Sequence, residues 1–253
     1  MPAEYYHYHH SLFLEDIPFW IQQTEGCHPV LELGCGTGRV TLPLLDAGRK
    51  VIGLEADFSR LQFLQNRISS LPSDRWKNLR LIQADMREFC APESMGAVIL
   101  PCNTFSIFPA CQRGVLLENI TRSLRSQGRL VMSLPNPYHL EQVREELRGE
   151  GGEGEIVEEQ AIRHPGSGDP ILISSQLRLF AGGLIWCWYY DHLSADGGVM
   201  RFSFCTEQRI ISPGDLQREI ERKDLKVRLM QGDYQGATFE EDSPYLVVTA
   251  EKV

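Results

Sequence analysis

The chain has 253 residues, long enough to bury one good core with an elaboration, and its composition is ordinary for a globular protein. A formal net charge of −9 excludes the basic face that a nucleic-acid backbone requires. No apolar run approaches the ~18 residues of a membrane-spanning helix; Met1-Pro2-Ala3-Glu4-Tyr5-Tyr6 has no basic-then-apolar leader, so a cytoplasmic protein with no membrane partner is expected.

At the N-terminus His7, His9 and His10 fit a frayed or substrate-covering segment better than a metal centre, and no metal site is expected elsewhere. Ser11 is placed to cap a helix over Leu12 to Gln23, with a break or restart at Pro18. A strand from Pro29 to Leu33 follows, then a helix from about Gly38 to Ala47, stopped near Gly48. The second strand is Lys50 to Glu55, and a helix from Phe58 to Ser70 presents Leu61, Leu64 and Ile68 at helical spacing. Strands over Leu79 to Gln83 and Gly96 to Leu100 come next, the latter broken by Pro101. Cys111 to Ser126 reads as a helix with Leu116, Leu117, Ile120 and Leu124 apolar, and Gly128 introduces a fifth strand over Arg129 to Leu134.

After the fifth strand the pattern changes. Glu141 to Arg148 continues as helix, and residues 149–155 form a flexible acidic turn. Ile156 to His164, Ile171 to Phe180, Leu184 to Leu193 and Val199 to Thr206 read as hairpins of an antiparallel sheet, with Asp196-Gly197 a turn signal. Pro213 sits just inside a helix over Ser212 to Arg222, a favoured placing, and Leu225 to Met230 and Pro244 to Lys252 are the final strands. Strands alternating with helices predict right-handed βαβ units in an α/β, doubly wound, Rossmann-like fold. Seven cysteines, at 27, 35, 90, 102, 111, 187 and 205, include no Cys-x-x-Cys pair and read as reduced, mostly buried thiols.

The chemistry-bearing residues gather at the carboxyl ends of the strands, where ligands bind in such sheets. Glu32, Glu55, Asp85, Pro101-Cys102-Asn103 and Asn136 all fall there. Val30-Leu31-Glu32-Leu33-Gly34-Cys35-Gly36-Thr37-Gly38-Arg39 reads as strand, glycine turn and helix start. Gly34 suits a tight turn, and Gly36 leaves no Cβ between backbone and ligand. A dinucleotide fingerprint needs glycine at 39, where Arg39 stands. Glu55 ends the next strand 19 positions after Gly36, where a Rossmann unit places its ribose ligand; a solvated strand end is the plainer reading.

The Glu-x-Gly-x-Gly-x-Gly form from Glu32 to Gly38 resembles motif I of the class I S-adenosylmethionine-dependent methyltransferases. Ile99-Leu100-Pro101-Cys102-Asn103-Thr104-Phe105-Ser106 is similar to the Asn-Ser-Phe segment of glycine N-methyltransferase-like enzymes, with Thr104 in place of serine. It does not match the Asn-Pro-Pro-Tyr motif that grips planar amines of nucleobases. The resemblance spans roughly residues 29–135 and 212–253. It implies a seven-stranded, mostly parallel sheet closed by an antiparallel pair; the antiparallel β insert after strand five is read from the strand and turn pattern and lies outside the resemblance. The expected division is a helical cap over 1–28, a cofactor-binding domain over 29–140 and 207–253, and an insert over 141–206 covering the substrate side.

The same resemblance implies S-adenosyl-L-methionine as cofactor, with S-adenosyl-L-homocysteine as product. Its expected contacts are Tyr6, Glu32, Gly34, Cys35, Gly36, Gly38, Glu55, Ala56, Asp85, Met86, Pro101 and Cys102. Asp85 is implied to bond the adenine amino group and Met86 to cover the ring, against a helix cap and a core methionine. Tyr5 and Tyr6 are placed to close over the cofactor. Arg39 suits the cofactor carboxylate, or a helix surface. Methyl transfer needs alignment of acceptor and sulfonium and a free acceptor lone pair. Asn103, Tyr138 and His139 are the catalytic candidates, with Tyr190 and His192 further choices for the proton step. Asn103, Phe105, Trp186, Trp188 and Tyr190 are expected to bind a small-molecule acceptor through nitrogen or oxygen, the three insert aromatics sharing one strand face that also suits a sheet core. A monomer or homodimer is expected. A nicotinamide oxidoreductase and a non-catalytic cofactor-binding module are the competing readings.

Overall fold

The computed structural model describes residues 2–70 and 76–253. In chain order the elements are α1 (Ala3–His10), α2 (Ile17–Gln23), β1 (Val30–Leu33), α3 (Thr41–Asp46), β2 (Val51–Glu55), α4 (Phe58–Ser69), β3 (Leu79–Gln83) and β4 (Met95–Leu100). A 3-10 turn (Thr104–Ile107), α5 (Ala110–Ser123), β5 (Leu124–Pro135) and α6 (Pro137–Gly149) lead into β6 (Val157–Arg163), β7 (Pro170–Phe180), β8 (Gly183–Leu193) and β9 (Val199–Arg209). The chain ends with α7 (Pro213–Glu221), β10 (Leu225–Gln231) and β11 (Tyr245–Lys252).

Period-2 alternation gives the central strands two apolar faces, so both must be covered. Leu31, Leu33, Ile52, Leu54, Val98 and Leu130 pack with Leu116, Leu117 and Ile120 of α5 and Leu216 and Ile220 of α7. Val30, Val51, Ile99 and Val131 face the other way, onto Phe19 and Trp20 of α2 and Leu44 of α3. The result is a seven-stranded sheet of order β10-β11-β5-β4-β1-β2-β3. β11 runs antiparallel to both β5 and β10, while β1 to β5 are parallel, as the sequence pattern predicts.

A second, four-stranded antiparallel sheet, β6-β7-β8-β9, rises from the C-terminal side of β5. One of its faces carries Ile171, Ile173, Tyr190 and Phe202, which pack around Tyr5 of α1. Further along the same face, Leu177, Leu179 and Leu184 rest on Leu140, Val143 and Leu147 of α6. Between α1 and α6 that face carries Ser175, Trp186 and Trp188.

Several expectations change. Ser11 ends α1 rather than starting a helix, its N–H donating to His7 O at 2.8 Å, and α2 begins only at Ile17 with Pro18 in its first turn. Leu124 belongs to β5, because Gln127 takes φ 59° and the β4–β5 register shifts between Met95 and Ala97. α6 starts four residues early, since Asn136 Oδ1 caps Tyr138 N–H at 2.9 Å with Pro137 at the first position. Cys187 and Cys205 stand opposite each other in the β8–β9 register and are joined by a disulfide, so the reduced-thiol reading fails for that pair. Cys90, Cys102 and Cys111 are exposed, leaving Cys35 alone as a fully buried free thiol among the described residues.

Gly96 opens β4 against the chain entering β1. A Cβ there would meet Cys27 C at 2.6 Å and His28 N at 2.7 Å, both backbone atoms that cannot rotate away. Gly96→Ala is expected to lower stability by about 1–3 kcal/mol, read as a reduced urea midpoint; an unchanged midpoint would show that the entry to β1 yields freely.

Candidate functional site

The direction of winding reverses between β1 and β4, the place beyond whose carboxyl ends open α/β sheets bind ligands. Gly34, Gly36 and Gly38 have φ of 77°, 54° and 86°, a left-handed path that other residues follow only with strain. A Cβ on Gly34 would lie 3.3 Å from Thr104 Cγ2 and 3.6 Å from Met86 Cε, so the ends of β1, β3 and β4 meet in one cradle. Cys35 turns its side chain down among Leu61, Leu64 and Ile68, and only its backbone faces the cradle.

Glu55 is buried and fixed. Its Oε2 accepts the Gly36 N–H at 2.9 Å and its Oε1 the Asp57 N–H at 2.9 Å. An ionised carboxylate has about four acceptor sites, so two remain for vicinal hydroxyls. Ala56 beside it is exposed. Glu32 accepts the Thr41 hydroxyl at 2.6 Å, and burial raises its pKa to about 7. Asp85 and Met86 follow β3 as expected, but both Asp85 oxygens already receive the Arg87 guanidinium, which holds that carboxyl below its usual range. Asp85 is therefore already paired with Arg87 and is not a free acceptor.

At the end of β4, Pro101 is buried and Cys102 opens outward. Cys102 and Asn103 have φ of 56° and 60°, two successive non-glycine residues in the left-handed region, where strain accompanies function. Ser106 Oγ lies 2.5 Å from Gln208 Oε1 of β9, tying this turn to the insert. Phe105 is fully buried in the main core and does not line the cleft, which corrects the expectation that it touches an acceptor.

Arg39 is neither a surface arginine nor free to bind a ligand carboxylate. Its Nη1 and Nη2 donate to Asp16 Oδ1 and Oδ2 at 2.5 and 2.7 Å, with further bonds to Phe13 O at 2.8 Å and Cys102 Sγ at 2.7 Å. Asp16, fully buried, also accepts Trp20 Nε1–H at 2.8 Å. The segment between α1 and α2 is thereby stapled to the glycine loop.

α1 is a docked helix, not a frayed end. The Tyr6 ring lies 3.4 Å from a Cβ placed on Gly36, and the Arg60 guanidinium covers that ring at 4.0 Å. Tyr6 meets His10 at a tilt with centroids 4.3 Å apart, His10 stacks on His9 at 4.7 Å, and His9 meets Trp188 edge-on at 4.6 Å. Burial lowers the pKa of His7 to about 4 and of His10 to about 3 and lowers that of His9, so these imidazoles are neutral at neutral pH.

Tyr190 and His192 are committed to holding α1, which removes them from the proton step. Tyr190 is fully buried with its hydroxyl 2.8 Å from His9 Nδ1. His192 bridges Tyr5 Oη at 2.7 Å and Asp169 Oδ2 at 3.0 Å. Trp186 and Trp188 stack at 5.5 Å on the cleft-facing side of β8. Tyr138 and His139 lie exposed on the first turn of α6, Tyr138 stacked near Phe239 at 6.1 Å. Sequence reasoning missed Arg60 and Gln208 at this site; it read His9 and His10 only as a frayed or substrate-covering segment and Thr104 only as part of the segment after strand four. Among the described residues no group of three or more His, Cys, Asp or Glu side chains is placed to hold a metal ion, and no helix is long and apolar enough to cross a membrane.

Comparison with known proteins bears on the same edge. A family profile described as a methyltransferase domain matches residues 30–128. The putative methyltransferase YqeM of Bacillus subtilis is 24% identical over 130 residues, 49% of this chain and 51% of that protein. Glycine N-methyltransferase of Mus musculus is 27% identical over 121 residues, 44% of this chain and 41% of that protein. The chain thus spans about half the length, or less, of these curated relatives. Among solved structures, SAM-bound CalS10, an amino pentose methyltransferase from Micromonospora echinaspora, superposes with a TM-score of 0.71 at 15% identity, over 98% of this chain and 96% of that one. At that identity the likeness is one of fold, and it extends over the insert.

Glu32 gives the site a pH signature. Unfolded, it loses its proton near 4.5; folded, it keeps it to about 7. Because the folded pKa is the higher, folding is increasingly penalised as pH rises from about 4.5 to about 7, and the penalty is then constant. Glu32→Gln is expected to flatten this loss, which is on the order of 3 kcal/mol at most, in urea titrations at pH 5 and pH 8. Parallel pH dependence in both proteins would refute the assignment.

Proposed function

We propose that the protein transfers a methyl group from S-adenosyl-L-methionine to a nitrogen or an oxygen of a small-molecule acceptor, nitrogen being slightly favoured, a reading supported by the methyltransferase-domain profile over residues 30–128 and by the sheet order. The observation that carries this reading is Glu55, a buried carboxylate held beside the glycine loop by the Gly36 amide, with lone pairs to spare. That arrangement fits a ribose diol, and Gly34 and Gly36 let the backbone approach it. The ring side of the cradle falls to Met86 and Asp85, and Tyr6 closes it from above.

When bound, the cofactor supplies an electrophilic methyl group on a sulfonium, open to in-line attack. The protein's share is alignment and exclusion of water, which supplies up to ~7–11 kcal/mol in ideal cases. We assign Asn103, on its left-handed turn, to the acceptor end of the cradle, and Tyr138 and His139 to the proton leaving the acceptor nitrogen. Residues 1–28 serve as the cap, residues 29–140 and 207–253 as the cofactor domain, and residues 141–206 as the cover over the acceptor side. Trp186 and Trp188 suit an apolar or cationic body there. The net charge of −9 supports a small molecule over a nucleic acid, and the amine substrates named for glycine N-methyltransferase and the amino pentose enzyme support nitrogen.

Glu55→Ala is expected to weaken S-adenosyl-L-methionine binding by about 1.5–3 kcal/mol through lost charge-assisted hydrogen bonds, measured by calorimetry. Equal affinity in the two proteins would remove Glu55 from the site. Quenching of NADH fluorescence by the wild type, with no response to the sulfonium, would instead favour an oxidoreductase.

A further inference from the structure

The insert carries one acid that the proposed transfer does not use. The β6–β7 register slips between Glu158 and Gln160, so Glu159 is the extra residue of a bulge. Bulges re-aim single side chains and recur beside active sites. Glu158 pairs with Ser174 on the outward face of β7, whereas Glu159 is turned the other way and accepts the Ser175 hydroxyl at 2.6 Å. Ser175 is buried and stands directly opposite Trp188 in the β7–β8 register. Glu159 therefore lies at the far end of the ring ladder that runs from Gly36 through Tyr6, His10 and His9 to Trp188.

Three features set this carboxylate apart. Asp169 beside β7, and Asp191 and Glu207 in the sheet, are matched to His192, Arg201 and Arg209, whereas neither Glu158 nor Glu159 pairs with a cation among the described residues, and of these two only Glu159 bonds to the Ser175 face. His9, which feels the Glu159 charge, is neutral at neutral pH because burial lowers its pKa. The stacked Trp186 and Trp188 add electron-rich faces beside it, and the Trp186 indole N–H is enclosed without an acceptor of its own. A carboxylate oriented by a buried hydroxyl beside two stacked indoles has the chemistry of a cation site.

We propose that Glu159, oriented by Ser175 and flanked by Trp186 and Trp188, binds a positively charged amine group of the methyl acceptor. This deepens the methyltransferase reading and rests on it for the acceptor's role. Glu159 recognises charge at the outer end of the cleft and takes no part in bond making.

The test uses the full chain saturated with S-adenosyl-L-homocysteine and follows tryptophan fluorescence with cyclohexylamine, protonated at neutral pH, and its neutral isostere cyclohexanol. The wild type is expected to favour the ammonium by tenfold or more. Glu159→Gln should reduce that preference to within about twofold, and Glu159→Asp should restore part of it. Glu158→Gln, which removes the same charge from the outward face, should leave the preference intact. No preference in the wild type, its retention in Glu159→Gln, or equal loss in Glu158→Gln would overturn the proposal. Calorimetry with S-adenosyl-L-homocysteine separates the two readings. Normal cofactor affinity with no amine preference defeats this inference alone, whereas absent cofactor binding defeats the transfer reading.

Discussion

The hydrogen bond from the Gly36 amide to Glu55 is the contact on which the site depends. Gly36 can offer its N–H there because it adopts a left-handed φ, and Glu55 can receive it because the β1–β2 register places both strand ends side by side. The buried carboxylate in turn holds the Asp57 amide at the start of α4. One side chain thus ties the loop after β1, the end of β2 and the head of the next helix. Burying such a group is costly unless its lone pairs are met, and backbone donors meet them.

Around that contact the N-terminal segment acts as a second layer. α1 has little intrinsic reason to be helical, being a run of tyrosines and histidines with no amphipathic stripe. Its order comes from neighbours: Tyr5 among Ile171, Ile173 and Phe202, Tyr6 between Gly36 and Arg60, and His9 against Trp188 and Tyr190. It therefore touches both sheets at once. The buried Asp16–Arg39 pair fixes the following turn to the same glycine loop. Removing one partner of such a pair leaves a stranded charge, so the cap and the loop are coupled in stability as well as in position.

The insert completes the enclosure from the other side. One face of the insert is covered at one end by α1 and at the other by α6, and between them it carries the half-buried Trp186 and Trp188 with the buried Ser175. The Ser106–Gln208 contact joins the left-handed turn after β4 to β9, linking the carboxyl edge of the main sheet to the insert.

The sequence by itself determined the central sheet, the polar edge at its carboxyl ends and the antiparallel character of the insert. Each of these is written in local periodicity and glycine spacing: period 2 in Leu31 and Leu33, period 3.6 in Leu61, Leu64 and Ile68, and Gly34, Gly36 and Gly38 after a strand. Periodicity records that a face is buried but not what buries it. Only the tertiary structure decided that Phe105 is core, that Arg39 belongs to Asp16, that Tyr190 and His192 grip α1, and that Cys187 meets Cys205. The bulge at Glu159 was equally hidden, because one extra residue in a strand changes which face a side chain serves and leaves no mark on composition.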